Sequence, residues 1–227
     1  MRTRQSFDEQ LTELHEGLFR IGTMVELALT QALHAVKTYD KELARTTIEG
    51  DLVINEAVQR LHNRALTLIA TQQPMASDLR LISVVLNLLP ELERMGDYAA
   101  TIAKVQQRLM QAPTYVPLDA MPEPFPGLIS EIGRRTSEIL HAGLEALRQR
   151  DHSFADRVVE LDDEIDHLYA RLFTATVNVS NTNPEMIAET IHMLTLAHNL
   201  ERIGDRVTNV AEQIVYLITG EVVALNY

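Results

Sequence analysis

The fold of this chain is decided by Asn199-Leu200-Glu201-Arg202-Ile203-Gly204-Asp205-Arg206, which has an earlier counterpart in Leu92-Glu93-Arg94-Met95-Gly96-Asp97. Both copies read Leu-Glu-Arg-apolar-Gly-Asp, and both lie in long runs of helical periodicity. Residues four apart are neighbours on one helix face, so the Glu and the Asp of each copy point the same way. Such a like-charged pair destabilises a helix unless neighbouring arginines or a bound cation neutralise it.

The two copies belong to an internal repeat that covers both halves of the chain. Ile21-Gly22 matches Ile132-Gly133, which lies 111 residues further along, and the two acidic motifs match at an offset of 108 residues. Each half contains three long helical patterns separated by short breaks, and strand-like alternation is absent. The sequence therefore predicts an all-α fold of two pseudo-symmetric, antiparallel three-helix bundles that arose from an internal duplication.

Breaks in the apolar pattern divide the chain into six predicted helices. They cover residues 7–36, 41–70, 77–110, 129–147, 154–179 and 184–219. The richest proline stretch lies between the third and fourth helices, so we assign residues 1–112 to the first bundle, 113–127 to a linker and 128–227 to the second bundle. Pro90 lies inside the third helix, where a proline tends to introduce a kink. Gly220 is expected to end the sixth helix.

Composition excludes several classes of function. A net charge of −12 argues against binding to nucleic acid, which depends on neutralising phosphates with Lys and Arg, and against adhesion to an anionic membrane surface. The chain has no cysteine, so a metal would need oxygen or imidazole ligands, a set that favours hard cations. The N-terminus lacks the apolar run of a signal peptide, and the most apolar window, Leu79 to Leu89, is too short to span a bilayer. We therefore expect a soluble, cytoplasmic protein that does not insert into a membrane.

A second pair of oxygen-bearing side chains lies on the helix before each acidic motif. The fifth helix carries Asp162 and Asp166 four residues apart, and the equivalent positions of the second helix are Asp51 and Asn55. Consecutive helices of a bundle are antiparallel neighbours, so each half is expected to gather four such side chains at one level. Crowded carboxylates do not all stay ionised without a counter-charge. A bound cation, raised pKa values or salt bridges to the motif arginines would each satisfy them.

The glycine before each motif Asp points to close packing at the same place. Glycine inside a helix costs about 1 kcal/mol relative to alanine. Close approach of another helix, or of a bound ion, would account for Gly96 and Gly204. His198 lies on the face of Glu201, and Asn209 lies one turn beyond Asp205, so both are candidates for additional metal ligands. A histidine that only packs in the core or on the surface is the commoner case.

A competing pattern is Glu-x-x-His, the spacing that di-iron four-helix bundles use. It occurs at Glu138-His141, Glu164-His167 and Glu189-His192. None of the three recurs in the first half. The Glu-x-x-His pattern nevertheless leaves a ferritin-like di-iron carboxylate enzyme as one alternative. A purely structural helical adaptor for another transporter is a second alternative. The sequence has no phosphate-binding loop, nucleophile elbow or kinase signature, so we expect no enzymatic activity.

The duplicated acidic motif, the preceding Asp-x-x-x-Asn/Asp pairs and the stretch Pro74-Met75-Ala76-Ser77-Asp78-Leu79-Arg80 closely resemble the PhoU family. The resemblance extends from Phe7 to about Gly220. It implies two three-helix bundles and a cytoplasmic, non-enzymatic regulator of phosphate uptake and homeostasis. It also implies negative regulation of the phosphate-starvation response, through partners that are the ATPase subunit of the phosphate ABC transporter and a phosphate-sensing histidine kinase.

The resemblance further implies metal binding, with iron, zinc, manganese or magnesium as the ion. Carried onto this chain, the metal ligands would be Asp162, Asp166, Glu201 and Asp205 in the second half and Asp51, Asn55, Glu93 and Asp97 in the first. Asn55 departs from the acidic form of the family's motif, so the first-half site is expected to be the weaker one. We also expect a homodimer, although the sequence does not identify its face.

Overall fold

The computed structural model describes residues 2–111 and 115–225, with side chains from Phe7 onward. Its long helices are α1 (Arg2–Thr38), α2 (Lys41–Gln72), α3 (Ala76–Gln111), α4 (Phe125–Gln149), α5 (Ala155–Thr182) and α6 (Ile187–Thr219). Short 3-10 helices occur at Leu118–Ala120, His152–Phe154 and Pro184–Met186. The residues described contain no strand, and the predicted all-α fold is confirmed.

Local capping signals set several of the helix ends. The carboxylate of Asp40 accepts hydrogen bonds from the backbone N–H groups of Glu42 and Leu43, so α2 begins with a side-chain cap. Gly220 has a left-handed backbone with φ of 81° and donates its N–H to the carbonyl of Tyr216, which ends α6 as predicted.

Two boundaries differ from the sequence prediction. Helix α1 begins at Arg2 rather than at Phe7, and α4 begins at Phe125, two residues before the predicted end of the linker. Pro126 lies in the first turn of α4, where a missing backbone N–H costs nothing because that N–H has no partner within the helix. Residues 112–114, where the predicted linker begins, lie outside the described residues. Helix α3 continues through Pro90 without a break.

The two halves contact each other along two seams, α3 against α6 and α1 against α4. Helices α3 and α6 are antiparallel. The guanidinium carbon of Arg80 lies 6.0 Å from the ring centroid of Tyr216, whereas that of Arg202 lies 4.6 Å from the ring of Tyr98. The connection between α2 and α3 and the connection between α5 and α6 therefore lie at opposite ends of the molecule.

The α1–α4 seam shows the duplication in its packing. A Cβ atom added to Gly22 would lie 2.8 Å from Leu144 Cδ2, and one added to Gly133 would lie 2.7 Å from Leu33 Cδ2. Gly22 and Gly133 are equivalent in the repeat, and so are Leu33 and Leu144, each pair 111 residues apart. The same leucine-against-glycine contact thus occurs twice, related by a pseudo-twofold axis.

One apolar core extends through both bundles. Leu14, Val25, Ile82, Leu196 and Ile203 are fully buried in it. Burial of apolar surface on this scale is the main stabilising contribution to folding. Within the parts of the chain that the structure describes, no helix is both long and apolar enough to cross a membrane.

Candidate metal centre

The structure brings the four predicted carboxylates of the second half together between α5 and α6. One carboxylate oxygen from each of Asp166, Glu201 and Asp205 lies within 4.8 Å of the other two. Asp162 lies one turn before Asp166 and is 8% exposed, and its Oδ1 is buried without a hydrogen-bond partner. These four residues are called the carboxylate cluster below.

Gly204 is the reason why Asp162 reaches the backbone of α6. A Cβ atom at this position would lie 2.7 Å from Asp162 Oδ1 and 3.1 Å from Ile165 Cδ1. In the first half, a Cβ atom on Gly96 would lie 3.3 Å from Ile54 Cδ1 and 3.4 Å from Asp51 Oδ1. Of the two explanations that the sequence left open for these glycines, the close approach of a neighbouring helix is observed at both.

The carboxylate cluster is electrostatically strained near neutral pH. Burial, with repulsion from Asp205, Asp166 and Glu201, raises the pKa of Asp162 to about 7. Burial, with repulsion from Asp205 and Asp166, also raises the pKa of Glu201 to about 7. Burial is likewise the main cause of the raised pKa values of Asp166 and Asp205. The cluster therefore favours bound protons or a bound cation over four carboxylates that are all ionised.

The arginines of the second motif contact α3 across the α3–α6 seam and relieve this strain only in part. Arg202 lies over the ring of Tyr98, and Arg206 Nη1 lies 3.5 Å from Glu91 Oε2. Both arginines lower the pKa of Glu201, but burial outweighs them. The arginines thus neutralise the carboxylate cluster only in part.

His198 and Asn209, the two additional candidate ligands, have different surroundings. His198 Nδ1 lies 3.0 Å from Glu201 Oε2, and its ring centroid lies 5.8 Å from that of Tyr169. This places an imidazole at the rim of the carboxylate cluster. Asn209 instead donates from Nδ2 to Glu91 Oε2 at 2.8 Å, so its amide N–H is engaged by the first half.

The equivalent residues of the first half form a poorer site. Asn55 Nδ2 donates to Asp51 Oδ2 at 3.4 Å, so an amide stands where the second half has a carboxylate. Burial and, next, the charge of Asp97 raise the pKa of Asp51. Asp97 is exposed, whereas Glu93 is half-buried. Across residues 7–111 and 115–225, the one group of three acidic or histidine side chains close enough to share an ion is in the second half.

The three Glu-x-x-His pairs do not converge on one site. Glu138 contacts Arg134, and Glu164 Oε2 lies 2.8 Å from Arg135 Nη1. The histidines bind elsewhere: His141 Nδ1 lies 2.9 Å from Glu26 Oε1, His167 Nδ1 lies 2.6 Å from the carbonyl of Asp163, and His192 Nδ1 lies 2.5 Å from that of Ala188. The three pairs are therefore separate from one another, and Glu189, unlike Glu138 and Glu164, is buried at 3% exposure.

Sequence reasoning missed Glu91, whose side chain is 13% exposed. It accepts hydrogen bonds from Arg94 at 2.9 Å and from Asn209 at 2.8 Å, and it contacts Arg206. Glu91 therefore connects the acidic motif of the first half, through Arg94, with that of the second half, through Arg206. No local pattern signals this role, because the partners on α6 are more than 100 residues away in the sequence.

The carboxylate cluster offers hard oxygen donors on two helices, with an imidazole beside them. Such donors suit Mg²⁺ and Mn²⁺, and an added imidazole also suits iron and zinc. Asp166 is exposed, so water or another external ligand has access to an ion held there. The buried Oδ1 of Asp162, which has no protein partner, fits an ion-binding role.

Two equivalent bundles with a carboxylate cluster between the last two helices define a duplicated all-α protein with a candidate metal centre. The PhoU domain model matches this chain twice, over residues 18–105 and 129–214. The chain belongs to the PhoU family, as the sequence motifs predict.

Similar proteins match the chain over almost its whole length. A phosphate-specific transport system accessory protein PhoU homolog from Clostridium acetobutylicum is 35% identical, with 99% of each chain covered. The phosphate-specific transport system accessory protein PhoU of Escherichia coli K12 is 30% identical, with 95% of this chain and 86% of that protein covered.

Solved structures agree with the fold. The phosphate transport system regulatory protein PhoU from Streptococcus pneumoniae superimposes with a TM-score of 0.85 at 29% identity, covering 96% of this chain and 99% of that one. PhoU from Pseudomonas aeruginosa gives a TM-score of 0.86 at 27% identity, covering 95% and 100%.

Proposed function

We propose that this chain is a non-enzymatic, cytoplasmic accessory protein that regulates a phosphate transport system. The proposal is supported by the match of both halves to the PhoU domain and by relatives named as accessory proteins of phosphate-specific transport. In this role the chain restrains the phosphate-starvation response. Its partners are the ATPase subunit of the phosphate ABC transporter and a phosphate-sensing histidine kinase.

The carboxylate cluster binds a divalent or trivalent cation, which is iron, zinc, manganese or magnesium. The observation that carries this part of the proposal is the convergence of Asp166, Glu201 and Asp205, together with the buried Oδ1 of Asp162, which has no hydrogen-bond partner. A bound ion supplies positive charge in addition to that of Arg202 and Arg206, which burial outweighs. By binding to both helices, the ion holds α5 against α6. The hairpin that these two helices form then presents a fixed surface to partners. The first half, with Asn55 in place of a carboxylate, binds an ion more weakly.

Elemental analysis of protein purified without a histidine tag tests the metal centre. We expect bound metal in the wild type and its loss in Glu201→Ala/Asp205→Ala. A matched control is Glu131→Ala/Glu138→Ala, which removes two carboxylates that contact Arg134 on α4 and should leave the metal content unchanged. Equal metal content in all three proteins would contradict the metal centre. A melting temperature that a chelator does not change would favour the purely structural adaptor.

A reporter of the phosphate-starvation response tests the regulatory role. Deletion of the gene should raise reporter expression in phosphate-rich medium, and the wild-type gene should restore repression. The Glu201→Ala/Asp205→Ala variant should restore it only in part, because its hairpin lacks the ion. Unchanged expression after deletion would contradict the regulatory role, and failure to co-purify the phosphate transporter ATPase would contradict that partner.

A further inference from the structure

A row of exposed apolar side chains continues the face that carries the carboxylate cluster. On α5, Phe173 is 52% and Val177 is 44% exposed, and on α6, Ile187 is 39% and Ile191 is 50% exposed. These four residues are called the α5–α6 strip. Neighbouring apolar side chains left in water at such fractions typically mark an interaction site.

Helix geometry places the strip in line with the carboxylate cluster. At about 100° per residue, Phe173 and Val177 lie within about 20° of Asp166 around the axis of α5. By the same count, Ile187 lies within about 40° of Glu201 around α6. The rings of Tyr169 and His198, with centroids 5.8 Å apart, join the two helices between the cluster and the strip.

The resulting surface has an acidic end and an apolar end. Eleven residues separate Asp166 from Val177, which is about 17 Å at 1.5 Å per residue. The apolar end coincides with the connection between α5 and α6, and the acidic end lies near the middle of the molecule. Three turns of a helix would cover this length.

The first half reproduces the strip only in part. The positions equivalent to Phe173 and Ile191 are His62 and Ser83. Leu66 and Leu79 are equivalent to Val177 and Ile187 and are similarly exposed, at 46% and 42%. The complete set of four apolar side chains is therefore present in the second half alone, whereas the first half has two of the four.

We propose that the α5–α6 strip docks an amphipathic helix of a partner protein, whose apolar side chains cover the strip and whose Lys or Arg residues reach the carboxylate cluster. Amphipathic helices bind apolar surfaces in this way through residues at i, i+3, i+4 and i+7. A basic end complements the charge of this surface, because four ionised carboxylates with one divalent ion bound still carry two net negative charges and Asp166 is exposed.

A second copy of this chain fits the surface less well than a basic helix. The exposed parts of the four side chains amount to roughly 300 Å², since full burial of a large side chain removes about 150–250 Å². A stable dimer typically buries about 800 Å² on each partner. A second copy would also add negative charge, because the chain carries a net charge of −12.

Fluorescence anisotropy with the full-length protein and designed, fluorescein-labelled helical peptides tests the proposal. Peptides of the first type have leucines at i, i+3, i+4 and i+7 and lysines at one end. Two such peptides are made, one with the lysines at the N-terminus and one with the lysines at the C-terminus. A second type has glutamates in place of the lysines. We expect saturable binding of at least one lysine peptide, weakened by salt, and at least tenfold weaker binding of its glutamate counterpart.

Two matched variants locate the binding surface. Val177→Ser/Ile187→Ser should bind the lysine peptide at least tenfold more weakly, whereas Leu66→Ser/Leu79→Ser, at the equivalent exposed positions, should bind it like the wild type. Circular dichroism should show the same helix content in both, since the four side chains are exposed to similar extents, between 39% and 46%. Equal weakening by both variants, equal binding of lysine and glutamate peptides, or no binding at all would overturn the proposal.

Light scattering separates this proposal from self-association. If the wild type is a dimer and Val177→Ser/Ile187→Ser is a monomer, the strip is a contact between copies and the proposal is overturned. The peptide assay does not depend on phosphate or on the reporter, so its failure is distinguishable from failure of the proposed regulatory function.

Discussion

Replacing Gly204 with alanine should move Asp162 and weaken the carboxylate cluster. The added Cβ would lie 2.7 Å from Asp162 Oδ1, closer than such atoms approach in folded proteins, and 3.1 Å from Ile165 Cδ1. Asp162 is buried, so its side chain has little space into which it can retreat. The same substitution at Gly50, where no atom lies within 4 Å of the new Cβ, provides a matched control.

The expected size follows from two opposing contributions. Alanine is favoured over glycine in a helix by about 1 kcal/mol, and Gly50→Ala should stabilise the protein by up to that amount. Overpacking a core costs about 1–3 kcal/mol, so Gly204→Ala should lower the unfolding free energy by up to about 2 kcal/mol. Gly96→Ala should fall between them, since its nearest contacts are 3.3 Å and 3.4 Å.

The unfolding free energies of the three variants are measured by urea unfolding of protein freed of metal with a chelator, monitored by far-UV circular dichroism. A metal titration of the same three variants should show weaker binding to the second-half site in Gly204→Ala and in neither of the other two. Only this substitution displaces Asp162. The reasoning is refuted if Gly204→Ala is as stable as Gly50→Ala, or if it is less stable yet binds metal like the wild type.

Three further predictions concern pH, the α1–α4 seam and the first-half site. Because the pKa values of Asp162 and Glu201 are raised to about 7 in the folded state, metal-free protein binds more protons folded than unfolded between about pH 4 and 7, so its unfolding free energy should fall as the pH rises through this window. Melting curves in chelator across that range check the sign, and stability that rises with pH would contradict it. Gly22→Ala and Leu144→Ala should each destabilise the protein, the second by about 2–4 kcal/mol, but the double variant should lose less than their sum because the shortened side chain leaves room for the new Cβ. Strict additivity in urea unfolding would argue against that contact. Asn55→Asp should raise the metal content of the first half and Asp166→Asn should lower that of the second, and elemental analysis showing no change in either would refute the role of this position.

The helices were predictable because their signals are local. Apolar spacing of three and four defines each helix, and Asp40 and Gly220 act as caps within a few residues of themselves. The duplicated motif predicted which side chains share a face, since a helix fixes the relation between residues four apart. The start of α4 was misplaced because Pro126, a break signal in the interior of a helix, is well tolerated in the first turn.

Contacts between distant segments could not be read from local patterns. The repeat aligned Gly22 with Gly133. It did not show that a leucine of the other half packs against each glycine, because this contact depends on how α1 packs against α4. Glu91 contacts Arg206 and Asn209 of the other half as well as Arg94 of its own helix, and the contacts with the other half have no signal in the local sequence. The repeat likewise did not reveal that Asp162 is buried, because depth depends on packing rather than on spacing.

The antiparallel arrangement of α3 and α6 has a consequence for how many proteins this molecule engages at a time. Helix α6 alone has 33 residues, so it measures about 50 Å from one tip to the other. The connection between α2 and α3 lies at one of these tips and the connection between α5 and α6 lies at the other. The two connections are therefore farther apart than the width of a small domain. Two proteins held at the two tips would not collide, and one molecule would serve as a spacer of fixed length between them.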